Sequence, residues 1–127
     1  MTDTVNPAPI PITAGIHHIA LRTGDLERLG AFYGTLLSRT PVRRTERALW
    51  YALGSAVLML ERAGPSEPSP DRQSMELLAF DVRPQNLGDA EAHLGALDIE
   101  IESRTDHTLY FRDPDGRRLA LSTHPLT

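Results

Sequence analysis

The chain has 127 residues, 40% of them hydrophobic and 24% charged, with a formal net charge of −4. That suits one domain with a modest core, and the acidic balance without a basic run leaves no electrostatic footprint for nucleic acid or an anionic membrane surface. Cysteine is absent, which excludes disulfides, thiolate metal sites and a thiol nucleophile.

Residues 1–14, MTDTVNPAPIPITA, lack the charged and apolar regions of a signal peptide. With Pro7, Pro9 and Pro11 they read as a flexible, extended tail. No apolar run reaches the length of a membrane span, so a cytoplasmic protein is expected. IALRT (19–23) is short, apolar and bounded by a turn signal, which predicts a strand. In GDLERLGAFYGTLL (24–37), Leu26, Leu29, Phe32, Tyr33, Leu36 and Leu37 follow helical spacing, and Asp25 is placed to cap the N-terminus. A basic stretch, VRRTER (42–47), leads into two strand-like runs, ALWYALG (48–54) and SAVLMLE (55–61), with a turn around Gly54.

RAGPSEPSPDRQS (62–74) carries three prolines and no apolar residue beyond Ala63, so it reads as an internal linker. The pattern then restarts. LLAFDV (77–82) predicts a strand and NLGDAEAHLGAL (86–97) a helix spaced on Leu87, Ala90, Leu94 and Leu97. IEIES (99–103), TLYFRDPDG (108–116) and RRLALST (117–123) complete a second set of strands. The halves also match in letters: Ile19-Ala20-Leu21 with Leu78-Ala79-Phe80, LWYA (49–52) with LYFR (109–112), and LML (58–60) with LAL (119–121). A repeat near half the chain length means a duplicated β-α-β-β-β unit. The expected organisation is one domain over 15–124, made of a module 15–61, the linker 62–74 and a module 75–124.

Carried by HIALRTGDLERLGAFYGTLL at the start and LYFRDPDGRRLAL near the end, the chain resembles the vicinal oxygen chelate superfamily of glyoxalase I, fosfomycin- and bleomycin-resistance proteins and extradiol dioxygenases. The resemblance runs from about Gly15 to His124. It implies an α+β fold in which two tandem βαβββ modules form a cupped mixed sheet, commonly at a dimer interface, with a divalent metal in the cup. The fold does not fix the chemistry, which varies widely across the superfamily.

Strand alternation puts Ile19 and Leu21 toward the helix, with His17 on their side or at the edge. His18, Ala20 and Arg22 then face the cup. By resemblance the first metal ligand falls on His18 and its counterpart in the second module on Leu77. The two carboxylate positions fall on Met59 and Ala120. A catalytic divalent site takes about three protein ligands with one position open, and here only His18 qualifies. No metal cofactor is therefore expected. Glu61 shares Met59's face but stands two residues along, roughly 6–7 Å away. His93 and His124 are expected at the surface, and His107 beside Asp106 in a solvated turn. Asp113-Pro114-Asp115-Gly116 is turn chemistry rather than a calcium loop.

The cup-facing set places aromatic walls at Trp50 and Tyr110, matched in the two modules. Met59, Leu77, Ala79 and Ala120 form a floor, and His18, Arg22, Glu61 and Arg112 are polar handles. That is the make-up of an organic-ligand pocket. The expected function is binding of a small organic molecule by a cytoplasmic homodimer, in the manner of the bleomycin-resistance branch. Two alternatives stay open. One is a lyase, transferase or dioxygenase using a divalent metal ion held by His18, Glu61 and either His17 or His107. The other is metal-free acid–base catalysis by His18 with Glu61.

Overall fold

The computed structural model describes residues 10–126. Of the expected tail, residues 1–9 lie outside the described residues, and 10–14 are exposed with no regular secondary structure. The first module runs β1 (His18–Thr23), α1 (Leu26–Leu37), β2 (Arg43–Arg44), β3 (Ala48–Leu53) and β4 (Ala56–Arg62). The second runs β5 (Leu78–Asp81), a 3-10 turn (Pro84–Asn86), α2 (Leu87–Ala96), β6 (Ser103–Arg104), β7 (Thr108–Arg112) and β8 (Arg118–Ser122). Each module builds one four-stranded mixed sheet, in the orders β1-β4-β3-β2 and β5-β8-β7-β6. The two orders are the same permutation, so the duplication seen in the letters is a duplication in space.

The crossover helix makes β1 parallel to β4, and β5 parallel to β8, while the hairpins make the remaining pairs antiparallel. In α1 the Asp25 side chain accepts from Arg28 N at 3.1 Å. The helix ends at Ser38 in the left-handed region, φ 52°, whose N–H returns to the last-turn carbonyls. Leu26, Leu29, Tyr33 and Leu36 are buried along one stripe against Leu49, Tyr51, Leu58 and Leu60 of β3 and β4. The corresponding residues of the second module, Phe80, Leu94, Leu109, Phe111, Leu119 and Leu121, join the same apolar cluster. One core thus serves both modules.

Several expectations are corrected in detail. The basic stretch contains the edge strand β2, whose two arginines are both exposed and carry no apolar alternation. IEIES contributes only the first residue of the two-residue β6. His93 is not a free surface residue: its Nε2 lies 2.9 Å from Thr35 O and 3.1 Å from Leu36 O. Carbonyls only accept, so this nitrogen carries the proton and donates to the open C-terminal turn of α1. Among the described residues no helix is long and apolar enough to cross a membrane.

Candidate functional site

The face of each sheet turned away from the core carries the residues of interest. Cross-strand register sorts them into rows: His18–Val57–Ala52, Ala20–Met59–Trp50 and Arg22–Glu61–Ala48 in the first sheet. In the second sheet the rows are Ala79–Ala120–Tyr110 and Asp81–Ser122–Thr108, with Arg118 opposite Arg112. Leu77 stands immediately before β5 and is 41% exposed. His18 and Leu77, Met59 and Ala120, and Trp50 and Tyr110 are therefore equivalent pairs in the two modules.

His18 is exposed, and so is His17. His17 precedes the strand, so alternation does not govern it, and its ring sits edge-on to His18 with the two Nδ1 atoms 2.9 Å apart. One imidazole must donate to the other. Glu61 pairs across β1 with Arg22 rather than with His18. Four residues of strand separate it from the His18 row, roughly 13 Å, so the fold does not bring His18 and Glu61 together. His107 instead packs its ring against His124, centroids 5.5 Å apart.

The donor chemistry does not fit the metal that the family resemblance implies. Met59, Leu77 and Ala120 offer no oxygen or nitrogen donor beside His18. Among the described residues no three His, Cys, Asp or Glu side chains gather to hold an ion.

The two arginine handles are engaged by the linker region. Arg22 Nε donates to Glu67 Oε2 at 3.0 Å and Nη2 to Oε1 at 2.8 Å, with Glu61 at 3.5 Å from Nη1. The fork holds the Glu67 carboxyl below its ordinary range and the Arg22 guanidinium above its own, the mutual hydrogen bonds leading in both cases. Arg112 donates from Nε to Glu102 at 2.8 Å and from Nη1 to the carbonyls of Arg72 and Gly116. Sequence reasoning missed Glu67, because nothing local marks a linker glutamate as the partner of a residue 45 positions earlier.

It also missed what lies over the aromatics. The Arg43 guanidinium stands 4.7 Å from the Trp50 ring centre and Arg118 stands 4.5 Å from that of Tyr110. The alternation that turns Ala120 away from the helix turns Arg118 that way too, so that half was readable; Ala120 itself is fully buried, contrary to its expected place in the pocket floor. Trp50 and Tyr110 lie on separate sheets. Two cavities sit at the seam between modules. One of about 580 Å³ is lined by Ile19, Leu36, Leu53, Leu78, Phe80 and His93. Another of about 450 Å³ lies under the linker and includes Leu21, Leu77, Arg117 and Arg118. The Asp113–Gly116 segment is a turn, closed by Gly116 N to Asp113 O at 2.9 Å with Gly116 at φ 89°.

A family model described as the Glyoxalase/Bleomycin resistance protein/Dioxygenase superfamily matches residues 15–121. Among curated proteins, the chain is 27% identical over 123 residues to the metallothiol transferase FosB of Shouchella clausii, covering 88% of this chain and 82% of that protein. A solved glyoxalase/dioxygenase from Nostoc punctiforme superposes with a TM-score of 0.76 at 25% identity, over 96% of this chain and 99% of the other. The fosfomycin resistance protein FosX from Listeria monocytogenes, complexed with Mn(II) and sulfate, gives 0.76 at 16% identity, over 91% and 94%.

Proposed function

The chain belongs to the glyoxalase/bleomycin resistance protein/dioxygenase superfamily, and from that premise we propose that it binds a small organic molecule on the open faces of its sheets, without a complete catalytic metal site. One observation carries this reading: of the four matched positions His18, Met59, Leu77 and Ala120, three are apolar. The binding set is His18, Arg22, Trp50, Met59, Glu61, Leu77, Tyr110 and Arg112, with Ala120 buried beneath them, and it combines aromatic surface with a few charged groups. A cytoplasmic homodimer belongs to the same proposal. A two-fold partner would cover open faces that the chain's own helices leave bare, and light scattering at micromolar concentration tests it.

Trp50 is the only tryptophan, so its emission reports on one open face. Small aromatic acids and amphipathic drugs should shift or quench it, while Mn²⁺ or Zn²⁺ alone should change neither emission nor melting temperature. Stoichiometric metal by elemental analysis, lost in His18→Ala, overturns the reading. It would favour the second one, a divalent-metal-dependent lyase, transferase or dioxygenase. That alternative draws on the FosB and FosX relatives and on the 2.9 Å approach of the two imidazoles, a spacing suited to two ligands of one ion.

A further inference from the structure

The duplication lets one half of the chain be read against the other. Arg39 N bonds Gly34 O at the end of α1 as Ile99 N bonds Leu94 O at the end of α2. The caps Ser38 and Asp98 are both left-handed, at φ 52° and φ 56°. In the strands that follow, Arg44 stands opposite Leu49 as Arg104 stands opposite Leu109. One constant offset fits all these matches, and it sets Arg44 against Arg104, Ala31 against Glu91 and Tyr51 against Phe111.

The equivalent positions do not hold equivalent chemistry. Leu49 and Leu109 are buried under the helices, and directly paired residues share a face, so both arginines lie on the helix side of their sheets. In the second module Arg104 Nη1 donates to Glu91 Oε1 at 2.8 Å. In the first, position 31 is an exposed alanine. Among the described residues neither Arg44 nor Arg39 enters an ion pair.

A cavity of about 430 Å³ lies here, lined by Gly30, Ala31, Arg39, Thr40, Pro41 and Arg44. Tyr51 Oη, at its wall, donates to Gly30 O at 3.0 Å and is left only to accept. Burial pushes this phenol above its ordinary value while the Arg44 charge pulls the other way, which sets the guanidinium close to the hydroxyl. Phe111 offers Arg104 no such acceptor. Glu27 reaches the rim, but Arg62 holds both its oxygens.

We propose that this cavity is a second ligand site, where the carboxylate of a small organic acid takes the place that Glu91 fills in the second module. Arg44 donates to the acid group, and Arg39 and the Thr40 hydroxyl add donors from the loop after α1. The carbon chain lies against Ala31 and Pro41. This site stands on the helix side of the first sheet, apart from the open-face binding described above.

The test titrates the full chain with propionate and neutral propionamide at fixed ionic strength, followed by the amide signals of Ala31, Gly34 and Arg44 in ¹H–¹⁵N spectra. Propionate should shift them saturably and bind at least tenfold more tightly than propionamide. Arg44→Gln and Ala31→Glu should each weaken propionate at least tenfold, and thermal melts should show both variants folded. The carboxyl introduced by Ala31→Glu should titrate below the ordinary glutamate value, as Glu91 does. Glu91→Ala strips Arg104 of its partner without supplying the cavity, and it should create no saturable propionate shifts at Arg104. Equal propionate binding at Arg104 in that variant overturns the inference, because any bare arginine would then suffice. Unchanged propionate binding in Ala31→Glu, or an ordinary titration of its new carboxyl, overturns it as well. Trp50 lies on the other face of β3, so its emission should ignore propionate, and failure here leaves the open-face reading to its own test.

Discussion

Tyr33 Oη donates a 2.7 Å hydrogen bond to Asp113 Oδ2, joining the first helix to the last hairpin across 80 residues of chain. The same oxygen takes Arg117 Nη1 at 3.2 Å, while Oδ1 accepts the N–H groups of Asp115 and Arg117. Arg117 Nη2 in turn reaches the carbonyl of Arg22 in β1. One buried carboxylate therefore ties α1, the β7–β8 turn and, through Arg117, β1 together. Tyr33→Phe should cost about 1.5–3 kcal/mol, the range for a hydrogen bond to a charged group. Denaturant unfolding would measure it, and a loss below a few tenths would show the bond to be dispensable.

Tyr33 also sets an alkaline limit. Burial, then the charge of Asp113, pushes its phenol well above the ordinary tyrosine value. The unfolded chain releases this proton near pH 10 and the folded chain does not, so the contribution is complete below about pH 10 and is lost as pH rises beyond it. The melting temperature should fall above that point, and fall less steeply in Tyr33→Phe.

The acid side depends on surface pairs. Arg62, Arg22 and Arg104 hydrogen-bond to Glu27, Glu67 and Glu91 and hold their carboxyls below the ordinary value. A lowered folded value gives stability that is present above about pH 4.3 and is lost as pH falls further. All three pairs are solvent-exposed, so the decline should be shallow and flattened by 1 M salt. Thermal melts between pH 6 and pH 3 at two salt concentrations would show it. A decline that ignores salt would point elsewhere.

Trp50 and Tyr51 are sequence neighbours on opposite faces of β3. Tyr51 is 2% exposed and donates to Gly30 O at 3.0 Å, so Tyr51→Ala should cost about 3–5 kcal/mol. Trp50 is only half-buried, and Trp50→Ala should cost no more than about 2 kcal/mol. It should nevertheless abolish the binding of aromatic probes. The reverse order of stabilities would mean that the open face is itself packing.

Gly30 sits where α1 crosses β3, and a Cβ there would stand 2.5 Å from Leu49 Cδ1. Helix propensity favours alanine by about 1 kcal/mol, but Leu49 is buried at 3% exposure and has little room to move. Gly30→Ala should therefore destabilise on balance, by about 1 kcal/mol or more, read as a lower denaturant midpoint with an unchanged slope. A gain in stability would show that Leu49 can repack.

The sequence by itself determined the repeated module, both helices, the main strands and the face on which each strand residue lies. Periodicities of 3.6 and 2 are local properties, written into side chains a few positions apart. The observed register, with Trp50 opposite Met59 and Tyr110 opposite Ala120, agrees with that reading. Tertiary structure alone decided three other things. The edge strands β2 and β6 are held by backbone pairing to β3 and β7, and two-residue strands of exposed side chains leave no periodic trace. The joining of both modules into one core depends on Tyr33, Asp113 and His93, whose partners lie dozens of residues away. The engagement of Arg22 by Glu67 depends on the path of a linker whose local sequence specifies turns and no destination. A long charged side chain reaches whatever the fold sets beside it, so its face could be read along the chain and its partner only in space.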